Sequence, residues 1–166
     1  MPEFELKFIV EASTLTDAVV DVLGESEDVL CGGTGFGDSF VTITIAAPTA
    51  RHAIADAHRR LRAHGLEVVC LQRDLVSGSE IAARTGQSRQ GVHLWTTGKR
   101  RTGFPSPFDP VNALWLWGEV HSWALRNGVT VEDPDMTYPT REEHDWAGLA
   151  LSGRGGDVGV PHRWTA

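Results

Sequence analysis

Cysteine is nearly absent: Cys31 and Cys70 are the two in 166 residues. Far apart and without CxxC spacing, they make neither a disulfide framework nor a zinc site, and they read as small buried hydrophobes. No apolar run approaches the ~20 residues that a membrane-spanning helix needs. Residues 1–7 lack the basic start and apolar run of a signal peptide, so a cytoplasmic protein without a membrane partner is expected. Basic residues are also in deficit: 15 Lys and Arg face 22 Asp and Glu, for a net charge of −7. Taken alone, that balance argues against a nucleic-acid partner. Acids are scattered rather than paired, and no Ser/His/Asp or Cys/His set stands in an informative context. No catalytic residue, and no enzyme, is therefore expected. An acylphosphatase-like reaction would need an arginine in the loop at 11–18, which has none.

Three further signals are discounted. His52, His58 and His64 recur every six residues, which advances a helix by ~600° and scatters them around it. No metal site and no cofactor are expected from them. Gly33-x-Gly35-x-Gly37 resembles a phosphate loop, but a β pattern follows it where a helix would be needed, so it reads as a hairpin turn. The stretch 35–41 faintly echoes an RNA-recognition strand, yet Thr34 replaces the leading base and the surrounding unit is acidic.

What is present begins with a globular composition, 41% hydrophobic and 22% charged. Residues 5–11 alternate as a half-buried strand with Leu6, Phe8 and Val10 on one face. Thr14 or Thr16 caps a helix that stops at Gly24. A short strand over 28–32, a turn over 32–38 and an alternating strand over 39–46 follow. Thr49 caps a second helix that Gly65 ends, and residues 66–72 close the unit as a strand. The order βαββαβ is the ferredoxin-like arrangement, which carries many unrelated functions and implies none by itself.

The richest stretch runs from 75 to 98. Ser79 is expected to cap a short helix with Ile81 and Ala82 inward, Gly86 to supply a tight turn, and Ser88 to cap a second helix. That helix packs through Val92 and Trp95 and leaves Arg89, Gln90 and His93 free. This is the grammar of a helix-turn-helix, which places one helix in the major groove of DNA. Charge follows the same division. Residues 1–76 hold 12 acids and 6 bases, residues 77–128 hold 3 acids and 6 bases, and residues 129–166 hold 7 acids and 3 bases. The one basic island coincides with the helix-turn-helix, and local sign governs phosphate contact. Beyond it, Phe104-Pro-Ser-Pro107 suits an extended edge segment, 113–117 reads as a strand, and 118–126 as a third helix ended by Asn127-Gly128. Two strands joined by a loop after a recognition helix make a wing. Residues 129–166 are weakly patterned, with one short helix conceivable over 145–151.

The run Ser79-Glu-Ile-Ala-Ala-Arg-Thr-Gly-Gln-Ser-Arg-Gln-Gly-Val-His, then Phe104-Pro105-x-Pro107, then Trp115-x-Trp117-x-x-Val120-x-x-Trp123 resembles the small bacterial winged helix-turn-helix proteins of the MerR/excisionase (AlpA-like) type. The resemblance covers 75–126. It implies that the helix over 88–97 reads the major groove, that the wing follows the backbone, and that the Val120/Trp123 helix closes the core. Gln87, where such turns carry an aliphatic residue, and Gly91, in the first turn of the second helix, depart from the pattern. A glycine there would let the backbone approach DNA closely.

The expectation is an α+β chain in three parts: a ferredoxin-like unit over 1–74 for dimerisation or partner binding, a winged helix-turn-helix over 75–128, and a weakly structured extension over 129–166. Arg89 pairs with guanine and Gln90 with adenine, while His93 and Thr97 share the groove-facing side. Each has a plainer alternative, a phosphate contact or a solvated side chain. Lys99, Arg100 and Arg101 contact phosphates at the wing's root, and Ser79 and Ser88 offer hydroxyls and helix-terminal amides to phosphates as well as capping. Trp95, Trp115, Trp117 and Trp123 read as core. The partner is double-stranded DNA, bound by a homodimer formed through the N-terminal unit; an effector is unknown. Other readings are an excisionase-like DNA-bending factor and a protein-interaction module that keeps the fold without binding DNA.

Overall fold

The computed structural model describes residues 1–152. The expected coil over 153–159 and Trp164 lie outside the described residues. The fold is mixed α+β, a sheet with helices against it. Strand β1 (Glu3–Val10) is its spine. Phe4, Leu6, Phe8 and Val10 alternate inward, as period 2 requires. A 3-10 turn (Ala12–Thr14) leads to helix α1 (Asp17–Ser26), where the Thr16 side chain accepts from the Val19 N–H and so is the cap. α1 does not stop at Gly24. It runs to Ser26 because the Glu27 N–H continues the ladder to the Leu23 carbonyl and the Glu27 carboxylate is held by Arg60 at 2.9 Å.

Strands β2 (Val29–Gly33) and β3 (Ser39–Ala46) form a hairpin, and helix α2 (Ala50–Ala63) follows behind its Thr49 cap. Gly65, at φ +85°, turns the chain into β4 (Val68–Leu71), shorter than expected because a bulge opposite Ile9 and Val10 breaks the ladder. The sheet order is β2-β3-β1-β4, each neighbouring pair antiparallel. α1 and α2 supply Leu23, Ala53, Ile54, Ala57 and Leu61 to the core beneath it.

A second core forms around β5 (Leu75–Ser77), α3 (Gly78–Thr85), α4 (Arg89–Thr96), β6 (Leu114–Leu116) and α5 (Trp117–Arg126). The expected wing hairpin is not formed as a pair of strands. Pro105 and Pro107 lack the N–H groups a ladder needs, and β6 pairs with β5 instead. In its place is a turn closed by one isolated bridge, Asp109↔Leu114.

The extension expected to be weakly structured is integral to the fold as far as residue 152. Val129 and Val131 complete the second core. The chain then crosses back: β7 (Met136–Thr137) pairs in parallel with the start of β1, and α6 (Arg141–Ser152) packs beside α2 and β4. Ala147 is buried in the first core, with Trp146 against it and Arg51 over the Trp146 ring at 5.6 Å. The two cores are therefore linked twice, by residues 72–74 and again by the return through 133–139. No helix among the described residues is long and apolar enough to cross a membrane.

Candidate nucleic-acid interface

The first helix of the basic segment begins earlier than its sequence suggested. Ser77, rather than Ser79, is the cap. Its hydroxyl accepts from the Glu80 N–H at 3.3 Å, and the Glu80 carboxylate accepts from the Ser77 N–H at 2.7 Å. This reciprocal pair is a capping box, and the Ser77 backbone bond holds the Glu80 carboxyl below the usual carboxylate range. Ser79 lies exposed in the first turn. At the other end Gly86 takes φ +64°, a left-handed turn open to glycine, and the Gln87 N–H returns to the Ala82 carbonyl at 3.0 Å.

α4 then starts at Arg89 behind Ser88, whose hydroxyl accepts from the Gly91 N–H at 3.0 Å. Val92 and Trp95 point inward. Arg89, Gln90 and His93 are all exposed, with Arg89 and His93 one turn apart and Gln90 beside Arg89 at the capped helix end. Thr97 is at the opposite end as the C-cap, and its hydroxyl donates to the His93 carbonyl at 2.8 Å, so it is spatially separate from Arg89 and Gln90. Gly91 does not face outward for a close backbone approach. It is buried, and a Cβ there would stand 3.3 Å from the Ser88 hydroxyl. The glycine makes room for the cap. Gln87, next to that cap, is exposed and adjoins the same helix end.

The basic run at 99–101 divides in two. Lys99 and Arg100 are exposed beyond α4. Arg101 takes φ +60°, and its guanidinium donates to the Asn127 carbonyl just past the last turn of α5. That contact satisfies a helix-terminal carbonyl and gives Arg101 a structural task. The turn at 109–114 carries no cation. The Asp109 carboxylate accepts from the Val111 and Asn112 N–H groups at 3.0 and 3.1 Å, and Val111 at the tip is 89% exposed.

An aromatic cluster sets the orientation of α4. Trp95 meets Trp123 at 5.2 Å between centroids, and Phe104 meets Trp123 edge-on at 4.8 Å. Trp123 Nε1–H donates to the Thr102 carbonyl at 3.0 Å and Trp115 Nε1–H to the Pro105 carbonyl at 3.2 Å. These indoles are core with one polar handle each. Trp117 belongs elsewhere: it faces Tyr138 and His121, and Arg84 lies over its ring at 4.9 Å while holding Asp74 at 2.5 and 3.2 Å. This group joins α3 and α5 to the linker and the returning chain. Burial, then Glu5 and Asp133, raise the Tyr138 phenol well above its usual range.

No protein-family model, curated protein or solved structure matches the chain.

Proposed function

We propose that the chain is a sequence-specific DNA-binding protein, a transcriptional regulator built from a ferredoxin-like unit and a helix-turn-helix with a reduced wing, akin to the MerR/excisionase type. The sheet order β2-β3-β1-β4 supports the first part, and the α3–turn–α4 geometry with α5 behind it supports the second. The observation that carries the reading is the exposed end of α4. Arg89, Gln90 and His93 stand free on one side of a helix whose N-terminus is capped and whose opposite side is fixed by Val92 and Trp95. In the major groove, Arg89 would read guanine and Gln90 adenine, with Gln87 at the margin. Lys99 and Arg100 would take phosphates, with Ser79 and Ser88 at the two helix starts, and Arg101 would hold the segment in shape. A single such unit makes few base contacts, so a homodimer on two half-sites fits the size of the surface.

One feature favours a DNA-bending variant of this reading. The turn tip presents Pro110 and a bare Val111 instead of cations, and apolar side chains of this kind wedge between base steps in bent DNA. The test is oligonucleotide selection at low salt, repeated with Arg89→Ala. A defined motif is expected, with a loss of ~1–3 kcal/mol confined to one base position in the variant. Absence of enrichment would refute DNA binding. A uniform loss over all sequences would move Arg89 to phosphate contact. Circular-permutation gel shifts with Val111→Ser then read bending.

A further inference from the structure

The returning chain closes a cleft of about 470 Å³ between the sheet and the second core. This is within the ~300–1,000 Å³ of small-molecule sites. Its floor is the face of the sheet that α1 and α2 do not cover, with Lys7 and Ile9 from β1 and Phe40 from β3. Leu116 and Gly118 come from the second core, and His144 from α6. Three independent observations converge there.

The first is His144, 6% exposed, whose Nδ1 is buried without a hydrogen-bond partner among the described residues. Buried polar atoms are nearly always bonded, so an orphan in a cleft wall marks a position where a guest can supply the bond. The second is Lys7. Its ammonium stands 5.1 Å over the Phe40 ring and takes part in none of the ion pairs among the described residues, whereas the neighbouring cations are engaged: Arg84 with Asp74, Arg73 with Asp145. Glu5, two residues along the same face, also lines the cleft; burial and then Asp133 hold its carboxyl above the usual range, while the charge of Lys7 pulls it the other way. The third is the posture of Phe40. A Cβ at Gly32 would lie 2.8 Å from its ring, so the glycine makes room for the ring in the cleft wall, beside the Lys7 ammonium.

We propose that this cleft binds a small amphipathic monocarboxylate, its carboxylate paired with Lys7, its apolar body on Phe40 and Ile9, and a hydrogen bond supplied by His144. Because both cores contribute walls, the bound anion stiffens the connection between the sheet and α4. Its role as an effector of DNA binding rests on the reading given above; its binding does not.

The experiment uses full-length, DNA-free protein and three probes of one shape: 3-phenylpropionate, its neutral amide, and 3-phenylpropylamine, followed by saturation-transfer NMR and calorimetry. Binding of the carboxylate at or below about 1 mM, and at least about tenfold weaker binding of amide and amine, is expected. Lys7→Gln should reproduce that tenfold loss, Lys7→Arg should largely keep affinity, and Phe40→Ala should weaken all three probes alike. Lys7 is exposed and Phe40 half-buried, and neither belongs to the core under α1 and α2, so an unchanged urea midpoint for each variant assigns its effect to the site. No binding of the carboxylate, equal binding of the amine, or indifference to Lys7→Gln overturns the proposal. All of these outcomes are read without DNA, so their failure leaves the oligonucleotide result untouched, and the reverse also holds.

Discussion

Gly118→Ala sets two effects against each other. Gly118 is the second residue of α5, and alanine is the better helix former, by up to ~1 kcal/mol in a helix interior. The space decides otherwise. A Cβ at this position would lie 2.4 Å from the Pro139 carbonyl oxygen and 3.2 Å from both the carbonyl carbon and Tyr138 Cβ. Ordinary contact needs roughly 1 Å more, and the obstacle is backbone, not the movable end of a side chain. Relief requires lifting the returning chain off α5, which disturbs the Trp117–Tyr138 contact and the β7 pairing with it. Overpacking of this kind costs ~1–3 kcal/mol, so after the helix-former gain the net expectation is a loss of about 1 kcal/mol, or a fall of ~2–4 °C in melting temperature for a chain of this size. Gly24→Ala is the internal control. It too is helical and has nothing within 4 Å, so it should gain ~0.5–1 kcal/mol. Urea unfolding followed by tryptophan fluorescence gives both midpoints. If Gly118→Ala is as stable as the parent or more so, the close approach of α5 and Pro139 is wrong.

Ser77→Ala should cost ~1 kcal/mol and speed amide exchange in the first turn of α3, while Ser79→Ala should leave both nearly unchanged; equal effects would restore Ser79 as the cap. His144 predicts a pH dependence. Burial, then Arg73, lowers its imidazole from 6.5 to about 4, against the opposite pull of Asp145 and Asp74. The folded protein thus keeps this histidine neutral while the unfolded chain protonates it. Stability from this source is complete above pH 6.5 and falls as pH drops toward 4, by about 2 kcal/mol between pH 7 and 5. His144→Gln should flatten that interval in urea titrations, and matching slopes for parent and variant would dismiss it. Gly91→Ala should be nearly neutral, since a helix-propensity gain of ~1 kcal/mol meets a tight 3.3 Å contact with Ser88; a large loss would show that the cap cannot yield.

Local chemistry made most elements legible. Thr16, Thr49 and Ser88 are side-chain caps, Gly65 and Gly86 are left-handed, and the alternation of Val41, Ile43 and Ile45 set the face of β3. The shift from Ser79 to Ser77 was readable too, because Glu80 stands three residues after Ser77 and completes a capping box. Two features were out of reach for physical reasons. The wing depended on which strand β6 would choose, and two prolines in one candidate left β5 as the partner. The return depended on a two-residue strand, too short for any periodicity, and on a glycine whose need for space exists only once Pro139 is beside it. The exposed triad Arg89, Gln90 and His93 was visible because helical spacing fixes which side chains a buried Val92 and Trp95 exclude. His144 was invisible because it reaches the cleft by a long-range crossing.

That crossing changes what motions the molecule can make. A domain joined by one linker swivels about a point. Here the second core is attached at 72–74 and again through β7 at the start of β1. Two attachments define a line, as the two hinges of a door do. Any rearrangement that keeps β7 paired is confined to rotation about that line, and the cleft opens or closes with it. A single angle then describes both how far α4 is presented and how much room lies between Phe40 and Gly118.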